Sequence, residues 1–327
     1  MNFEPPNFTD VEAAAKRLRG RAFWTPLLEN AQLNALAKGR VLLKAESLQR
    51  TGSFKFRGAW NCIGQLPASQ TRGGVVAYSS GNHAQGVAAA AGLRGMPALI
   101  VMPRDTPLIK QKNTVSLGAE IVLYDRATQD RQEIAQRLAD ERGAVIVPPF
   151  EHPDIIAGQG TTGLEIIAQA QELGATIDVM LCGASGGGLI AGISLAFGAL
   201  SPATKIYVVE PEGFDDHRRS LISGQRERNA QATGSICDAL LSPQPGELTF
   251  SINASRLSGG LIVSEDEVRR AVAFAFRELK LVVEPGGAVS LAALLTGKID
   301  TQGRTIALVL SGGNVDPELY AEIITSA

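Results

Sequence analysis

Short apolar runs alternate with helical stretches along almost the whole chain. This alternation limits the fold more than any other feature. Residues 40–44, 74–78, 98–103, 120–124 and 144–147 read as strands, rich in Val, Ile and Leu. Between them, 82–92 reads as a small-residue helix, 107–117 as a helix and 129–142 as a charged amphipathic helix. The pattern resumes after Gly158 with strands over 179–182, 205–210 and 305–310. Strands that are apolar throughout are buried on both faces, so parallel sheets covered by helices on either side are expected. The fold class is α/β. Thr9 with Glu12 predicts a capping box for a first helix that Gly20 stops, and Ser264 with Glu267 predicts a second box opening a helix to about Leu279. Residues 224–255 are the least regular and are expected to wrap the surface.

At 327 residues the chain fits two domains. A net charge of −2, with acids and bases interspersed, argues against a nucleic-acid surface or a polybasic membrane patch. Cys62, Cys182 and Cys237 are odd in number and widely spaced. They give neither a disulfide framework nor a zinc pattern, and they suit a reducing, cytoplasmic compartment. His83, His152 and His217 show no metal-ligand spacing. The N-terminus is acidic and contains proline, unlike a signal peptide. Residues 179–200 carry no charge over 22 positions, long enough to cross a bilayer. Six glycines interrupt the run, so a buried strand, a glycine turn and a buried helix are predicted instead.

Lys55 lies between Phe54 and Phe56. Desolvation in an apolar setting lowers a lysine pKa, and a neutral amine captures carbonyl cofactors such as pyridoxal phosphate (PLP). Three glycine turns give it company. Ser79-Ser80-Gly81-Asn82-His83 sits where a strand becomes a helix, a position whose backbone amides bind anions such as a carboxylate. Gly183-Ala184-Ser185-Gly186-Gly187-Gly188-Leu189 follows a buried strand and opens a helix, the strongest local phosphate signal. Its Gly186-x-Gly188-x-x-Ala191 spacing also fits a loose dinucleotide fingerprint, with Glu210 ending the next strand about 20 residues on. A nicotinamide-dependent dehydrogenase is therefore a rival on that window. Ser311, before Gly312-Gly313-Asn314, ends an apolar strand and points at a ligand crevice.

Six motifs come in order: Ser-Phe-Lys-x-Arg-Gly-Ala at 53–59, Ser-Ser-Gly-Asn-His at 79–83, Ala-Gly-Gln-Gly-Thr at 157–161, the glycine turn at 185–189, Glu-Pro-Gly-Gly-Ala at 284–288 and Ser-Gly-Gly-Asn at 311–314. Together they resemble the fold-type-II PLP enzymes, in the branch of the threonine/serine dehydratases and serine racemases. The resemblance implies two domains: a large one from 1–71 and 148–327, and a small inserted one from 72–147. It implies that Lys55 carries PLP as a Schiff base and later moves the Cα proton. Phe54 would pack beside the ring, and Asn82 would hydrogen-bond the phenolic oxygen. Ser185, Gly186, Gly187, Gly188 and Leu189 would hold the phosphate by their amides, with the Ser185 hydroxyl, where the family usually has glycine, able to add a bond. Glu284 would belong to the cofactor site, and Ser311 would face the pyridine nitrogen. The amides of Ser79, Ser80, Gly81, Asn82 and His83 would take the substrate carboxylate, with Ser80 as a second acid/base. Glu210, the Phe214 carbonyl and Asp216 would hold a structural Mg²⁺ or Ca²⁺. The implied reaction is dehydration and deamination of L-threonine or L-serine to a 2-oxo acid and ammonia. Serine racemase and 3-hydroxyaspartate ammonia-lyase are the alternatives, and the sequence singles out no cation for the extra carboxylate of the latter. The family is commonly dimeric. Its biosynthetic dehydratases carry a regulatory domain after the catalytic one; none fits here, so a catabolic role is expected.

Overall fold

The alternation resolves into two separate sheets in the computed structural model, which describes residues 3–106 and 108–326. The strands are β1 (Leu27–Glu29), β2 (Arg40–Ala45), β3 (Val75–Tyr78), β4 (Ala98–Pro103), β5 (Glu120–Tyr124), β6 (Val145–Ile146), β7 (Val179–Gly183), β8 (Lys205–Pro211), β9 (Gly259–Val263) and β10 (Thr305–Leu310). One sheet has the order β1-β2-β10-β7-β8-β9 and the other β5-β4-β3-β6. All neighbours are parallel except β1 and β2. Strands β4 and β7 are buried at every position, as apolar strands covered on both faces must be. On β10 the faces alternate. Ile306, Leu308 and Leu310 enter one core, while Ala307 and Val309 enter another with residues of the helices Pro153–Glu172 and Gly188–Leu200. The uncharged run 179–200 is thus β7, a turn and a buried helix. Among the described residues no helix is long and apolar enough to cross a membrane.

Local signals held with small shifts. Ser264 and Glu267 form the predicted capping box of the helix Glu265–Phe274, which runs on through a π turn to Leu279. The first helix, Phe8–Leu18, is capped two residues earlier than predicted. Asn7 accepts from the Thr9 amide at 2.8 Å, and Asp10 accepts from the Asn7 amide at 2.8 Å. Asn is the stronger cap and Asp closes the box as Glu would, so the pair Asn7/Asp10 prevails over Thr9/Glu12. Asp130 caps the helix Arg131–Arg142, which shortens the predicted 129–142. The predicted 107–117 is Leu108–Ser116, with Pro107 outside the described residues. The irregular stretch 224–255 holds only the 3₁₀ turn Asp238–Leu240 and the short helix Glu247–Asn253.

A buried charge network lies behind the helix Lys55–Gly64. The Arg57 guanidinium donates to both oxygens of Glu46 at 2.8 Å and to both oxygens of Glu165 at 2.6 and 2.8 Å. The Lys44 ammonium donates to Glu165 at 2.6 Å, Gln169 at 2.8 Å and the Thr25 carbonyl at 2.7 Å. Two cations meet two anions, so none is left alone in low dielectric. The three cysteines are free and buried.

Candidate active site

Parallel strands release their loops at one end, and the site is built there. β10 runs beside β7, with Ile306 opposite Val179, so Ser311 and the glycine turn emerge side by side. From the other sheet, β3 delivers Ser79 to His83. Lys55 is the first residue of the helix Lys55–Gly64. Phe54, Lys55, Ser79, Ser80, Gly81, Asn82, His83, Ser185, Gly186, Gly187, Gly188, Leu189, Glu284 and Ser311 all line one cavity of about 500 Å³.

The Lys55 amine donates to the Pro149 carbonyl at 2.9 Å and sits 5.2 Å from the centre of the Phe54 ring. Burial pulls its pKa down to about 8, against the opposing charge of Glu284. Only one of its two phenylalanines supplies this setting, because Phe56 stacks on Trp60 in the core. Burial, with the Lys55 charge adding to it, takes His83 down to about 3, so its ring is neutral where it meets the Val147 carbonyl at 2.8 Å.

The glycine turn is shaped as a cradle. Gly187 has φ 92 and directly precedes the helix Gly188–Leu200, whose first amides have no intrahelical acceptors. A Cβ on Gly186 would overlap the Phe150 ring, and one on Gly187 would come within 2.6 Å of His217. The Ser185 hydroxyl is engaged elsewhere: it donates to the Ser242 hydroxyl at 2.8 Å and accepts the Ser242 amide at 3.1 Å. The bond it was expected to offer a phosphate is therefore a tie to the irregular segment. A buried amine of lowered pKa, an anion cradle and a polar strand end within one cavity fit PLP.

Glu284 and Asn82 meet although they lie on different sheets' loops. Asn82 donates to Glu284 at 2.6 Å and accepts from Asn314 at 2.7 Å. Burial raises the Glu284 carboxyl to about 7; Asp238 adds to the rise, while Asn82, Lys110 and Lys55 oppose it.

The implied metal ligands lie outside this cavity. Glu210 accepts the His217 and Arg218 amides at 2.9 and 2.8 Å, and Asp216 accepts from Asn229 at 2.6 Å. Burial holds Glu210 well above the usual carboxylate range and Asp216 up at about 7. One oxygen of Asp216 is buried without a partner. An oxygen-rich, proton-hungry pair with an orphaned acceptor fits a hard cation. His217 joins the cluster, its Nδ1 lying 3.7 Å from Glu210 and 3.8 Å from Asp216. Its spacing in the sequence gave no hint, because β8 and the helix Asp216–Ser223 fold back to bring it in. Cys62, His152 and Asp154 also converge. There the His152 Nδ1 accepts the Asp154 amide at 3.1 Å, a helix cap that accounts for the ring's position.

The sequence reading missed the cations of the cavity. Lys110, Arg126 and Arg131 line it. Lys110 pairs with Asp238 and Arg126 with Asp105. Arg131 makes no ion pair among the described residues and lies 5.5 Å over Tyr78, the residue before Ser79.

Residues 18–312 match the family described as pyridoxal-phosphate dependent enzyme. The L-threo-3-hydroxyaspartate ammonia-lyase of Pseudomonas sp is 42% identical over 97% of this chain and 98% of its own. The L-threonine ammonia-lyase of Thermotoga maritima is 39% identical over 96% of this chain and 77% of its own. Among solved structures, the threonine deaminase of T.th. superposes with a TM-score of 0.90 at 44% identity, covering 95% of this chain and 99% of that one. Maize serine racemase superposes with a TM-score of 0.92 at 34% identity, covering 98% of each. A dinucleotide-dependent dehydrogenase leaves Lys55, Asn82 and Ser311 without a purpose. The chain belongs to the pyridoxal-phosphate dependent enzymes, of fold type II, and is a lyase.

Proposed function

We propose that the protein eliminates water from an L-hydroxyamino acid and releases a 2-oxo acid and ammonia, with L-threo-3-hydroxyaspartate preferred over threonine and serine. Arg131 carries the preference. Among the described residues it is a cation on the cavity without a carboxylate partner, whereas Lys110 and Arg126 are already paired. It agrees with the activity for which the Pseudomonas relative is named.

When bound, PLP would supply an electron sink for the negative charge that develops at the substrate's α-carbon. Lys55 supplies the amine that holds it. In its free form the Lys55 amine, which lines the cavity, would take the Cα proton. A pKa near 8 leaves a usable neutral fraction for both tasks. The amides of Ser79 to His83 hold the α-carboxylate, and Arg131 takes the β-carboxylate. The amides of Ser185 to Leu189 would hold the cofactor's phosphate, and Ser311 would serve its ring nitrogen. The β-hydroxyl leaves as water, its added proton balanced by the one Lys55 takes from Cα, and the released enamine hydrolyses to the 2-oxo acid and ammonia. Ser80, on the same cavity, is the second acid/base for racemisation, which chiral analysis of residual serine would detect.

The same reading extends to the rest of the molecule. Glu210, Asp216 and the Phe214 carbonyl hold a structural Mg²⁺ or Ca²⁺. The division into 1–71 with 148–327 and 72–147 follows the two sheets, and relative movement closes the cavity over substrate. Exposed Phe23, Trp24 and Leu48 suit a homodimer contact, and three buried free thiols suit the cytoplasm.

The test is a kcat/KM panel on threonine, serine and L-threo-3-hydroxyaspartate with wild type and Arg131→Ala. The substitution should cut hydroxyaspartate turnover by about 10²-fold and leave serine within about threefold. A wild type that prefers threonine or serine, with Arg131→Ala neutral, leaves the monocarboxylate reading in its place.

A further inference from the structure

We propose that Glu284 and Asn314 are positioning residues that fix the orientation of the Asn82 amide, so that Asn82 can present only an N–H to the cofactor. The proposal rests on the reading of Asn82 as a contact of the cofactor's phenolic oxygen.

The orientation follows from a chain of obligate roles. A backbone carbonyl only accepts, and a side-chain amide donates only through its nitrogen. The Thr51 carbonyl takes a hydrogen from Asn314 Nδ2 at 2.7 Å. This fixes which end of the Asn314 amide is the nitrogen. The same Nδ2 gives its other hydrogen to Asn82 Oδ1 at 2.7 Å. Asn82 Nδ2 then faces Glu284 Oε1 at 2.6 Å. Flipping Asn82 would set oxygen against oxygen at Glu284 and nitrogen against nitrogen at Asn314. With Glu284 ionised both contacts would become repulsive, and with it protonated the Asn314 contact still would, in a buried place where Asn82 is 9% and Glu284 3% exposed. One N–H of Asn82 remains, on a side chain that lines the cavity.

The partners are themselves held. The Glu284 amide donates to the Gly312 carbonyl at 3.0 Å. A Cβ on Gly312 would strike Glu284 and come within 3.1 Å of Asn82 Nδ2, so the contact needs glycine beside Ser311. A Cβ on Gly52, at φ 73, would come within 2.6 Å of Asn314 Oδ1. Thr51 itself adopts φ 63, a left-handed conformation rare for threonine, and from it offers Asn314 its carbonyl. The node also joins the loop after β3 to the loops of the six-stranded sheet. Apart from the charge it sets against Lys55, Glu284 therefore acts on the site through Asn82.

The experiment measures the PLP dissociation constant of Glu284→Ala, Glu284→Gln, Asn314→Asp, Asn82→Ala and Glu284→Ala/Asn82→Ala, with the pH titration of the bound cofactor's visible band. Thermal unfolding of each apoprotein controls for folding. Glu284→Ala and Asn314→Asp should each weaken PLP about five- to tenfold and shift the band's titration. Asn314→Asp is the sharper probe, since aspartate cannot donate to Thr51 or Asn82. Glu284→Gln keeps an acceptor and should restore binding. The double variant should bind PLP no more weakly than Asn82→Ala alone. Additive losses in the double variant would overturn the proposal and make Glu284 a direct cofactor contact. Wild-type binding by Glu284→Ala and Asn314→Asp, with Asn82→Ala impaired, would overturn it while sparing the reading of Asn82. Wild-type binding by Asn82→Ala would remove both.

Discussion

Two opposing effects set the amine of Lys55. Burial favours the neutral form, and the carboxylate of Glu284 favours the charged one, with burial prevailing at about 8. Uptake of PLP by the apoprotein requires the neutral amine, so its rate should climb with pH and level off above about 8. Stopped-flow absorbance across the neutral to alkaline range would read this, and a flat profile would sink the assignment. Lys55→Ala should lose the cofactor's visible absorbance and turnover while its unfolding transition stays near wild type. Lysine and its motif were legible in the sequence because a charged residue among aromatics is conspicuous. Asn314 was visible only as the end of a motif. Its partners Thr51 and Asn82 lie far away in sequence, and nothing local announces a hydrogen bond across that distance. Arg131 escaped for a similar reason: as the opening residue of a charged helix, it looked like any solvated surface cation until the fold placed it at the cavity.

At the scale of elements, the glycine turn shows how much a strand-turn-helix pattern discloses. The apolar run, the consecutive glycines and the following helix were all readable, because each is a local demand on backbone geometry. The ring of Phe150 above Gly186 and His217 against Gly187 were not readable, since they come from distant segments. Gly187→Ala must adopt φ 92 with a methyl against His217, and should weaken PLP about tenfold or more by equilibrium titration. The carboxyl pair of Glu210, on β8, and Asp216, which opens the next helix, has a pH signature. Glu210 and Asp216 bind protons in the folded state that the unfolded chain releases, because their folded pKa values are raised. Without a cation the Asp216 share of that stability is fully present below the ordinary carboxylate value of about 4 and is lost as pH rises past about 7, and Glu210 acts in the same direction. Mg²⁺ or Ca²⁺ should therefore raise Tm at about pH 8 and do little at about pH 5. Equal shifts at both values would exclude these carboxylates as ligands.

Across the whole molecule, α/β alternation disclosed the sheets, but the strand order had to be seen. The network of Lys44, Glu46, Arg57 and Glu165 was equally hidden, since its members are separated by up to 121 residues. Each reads locally as an ordinary surface charge. Arg57→Met would leave Glu46 unpaired in the interior and should cost about 3–5 kcal/mol by urea unfolding, well above a surface substitution. The strand order carries one more consequence. β2 pairs with β10 along its full length, so a strand made early waits for one made much later. The four-stranded sheet is complete by Ile146 and can form while the ribosome is still working. The glycine turn, by contrast, hangs from β7 beside a gap that only β10 fills. A nascent chain therefore has its lysine long before it has a pocket, and the cavity can close round a cofactor only after β10 has been made.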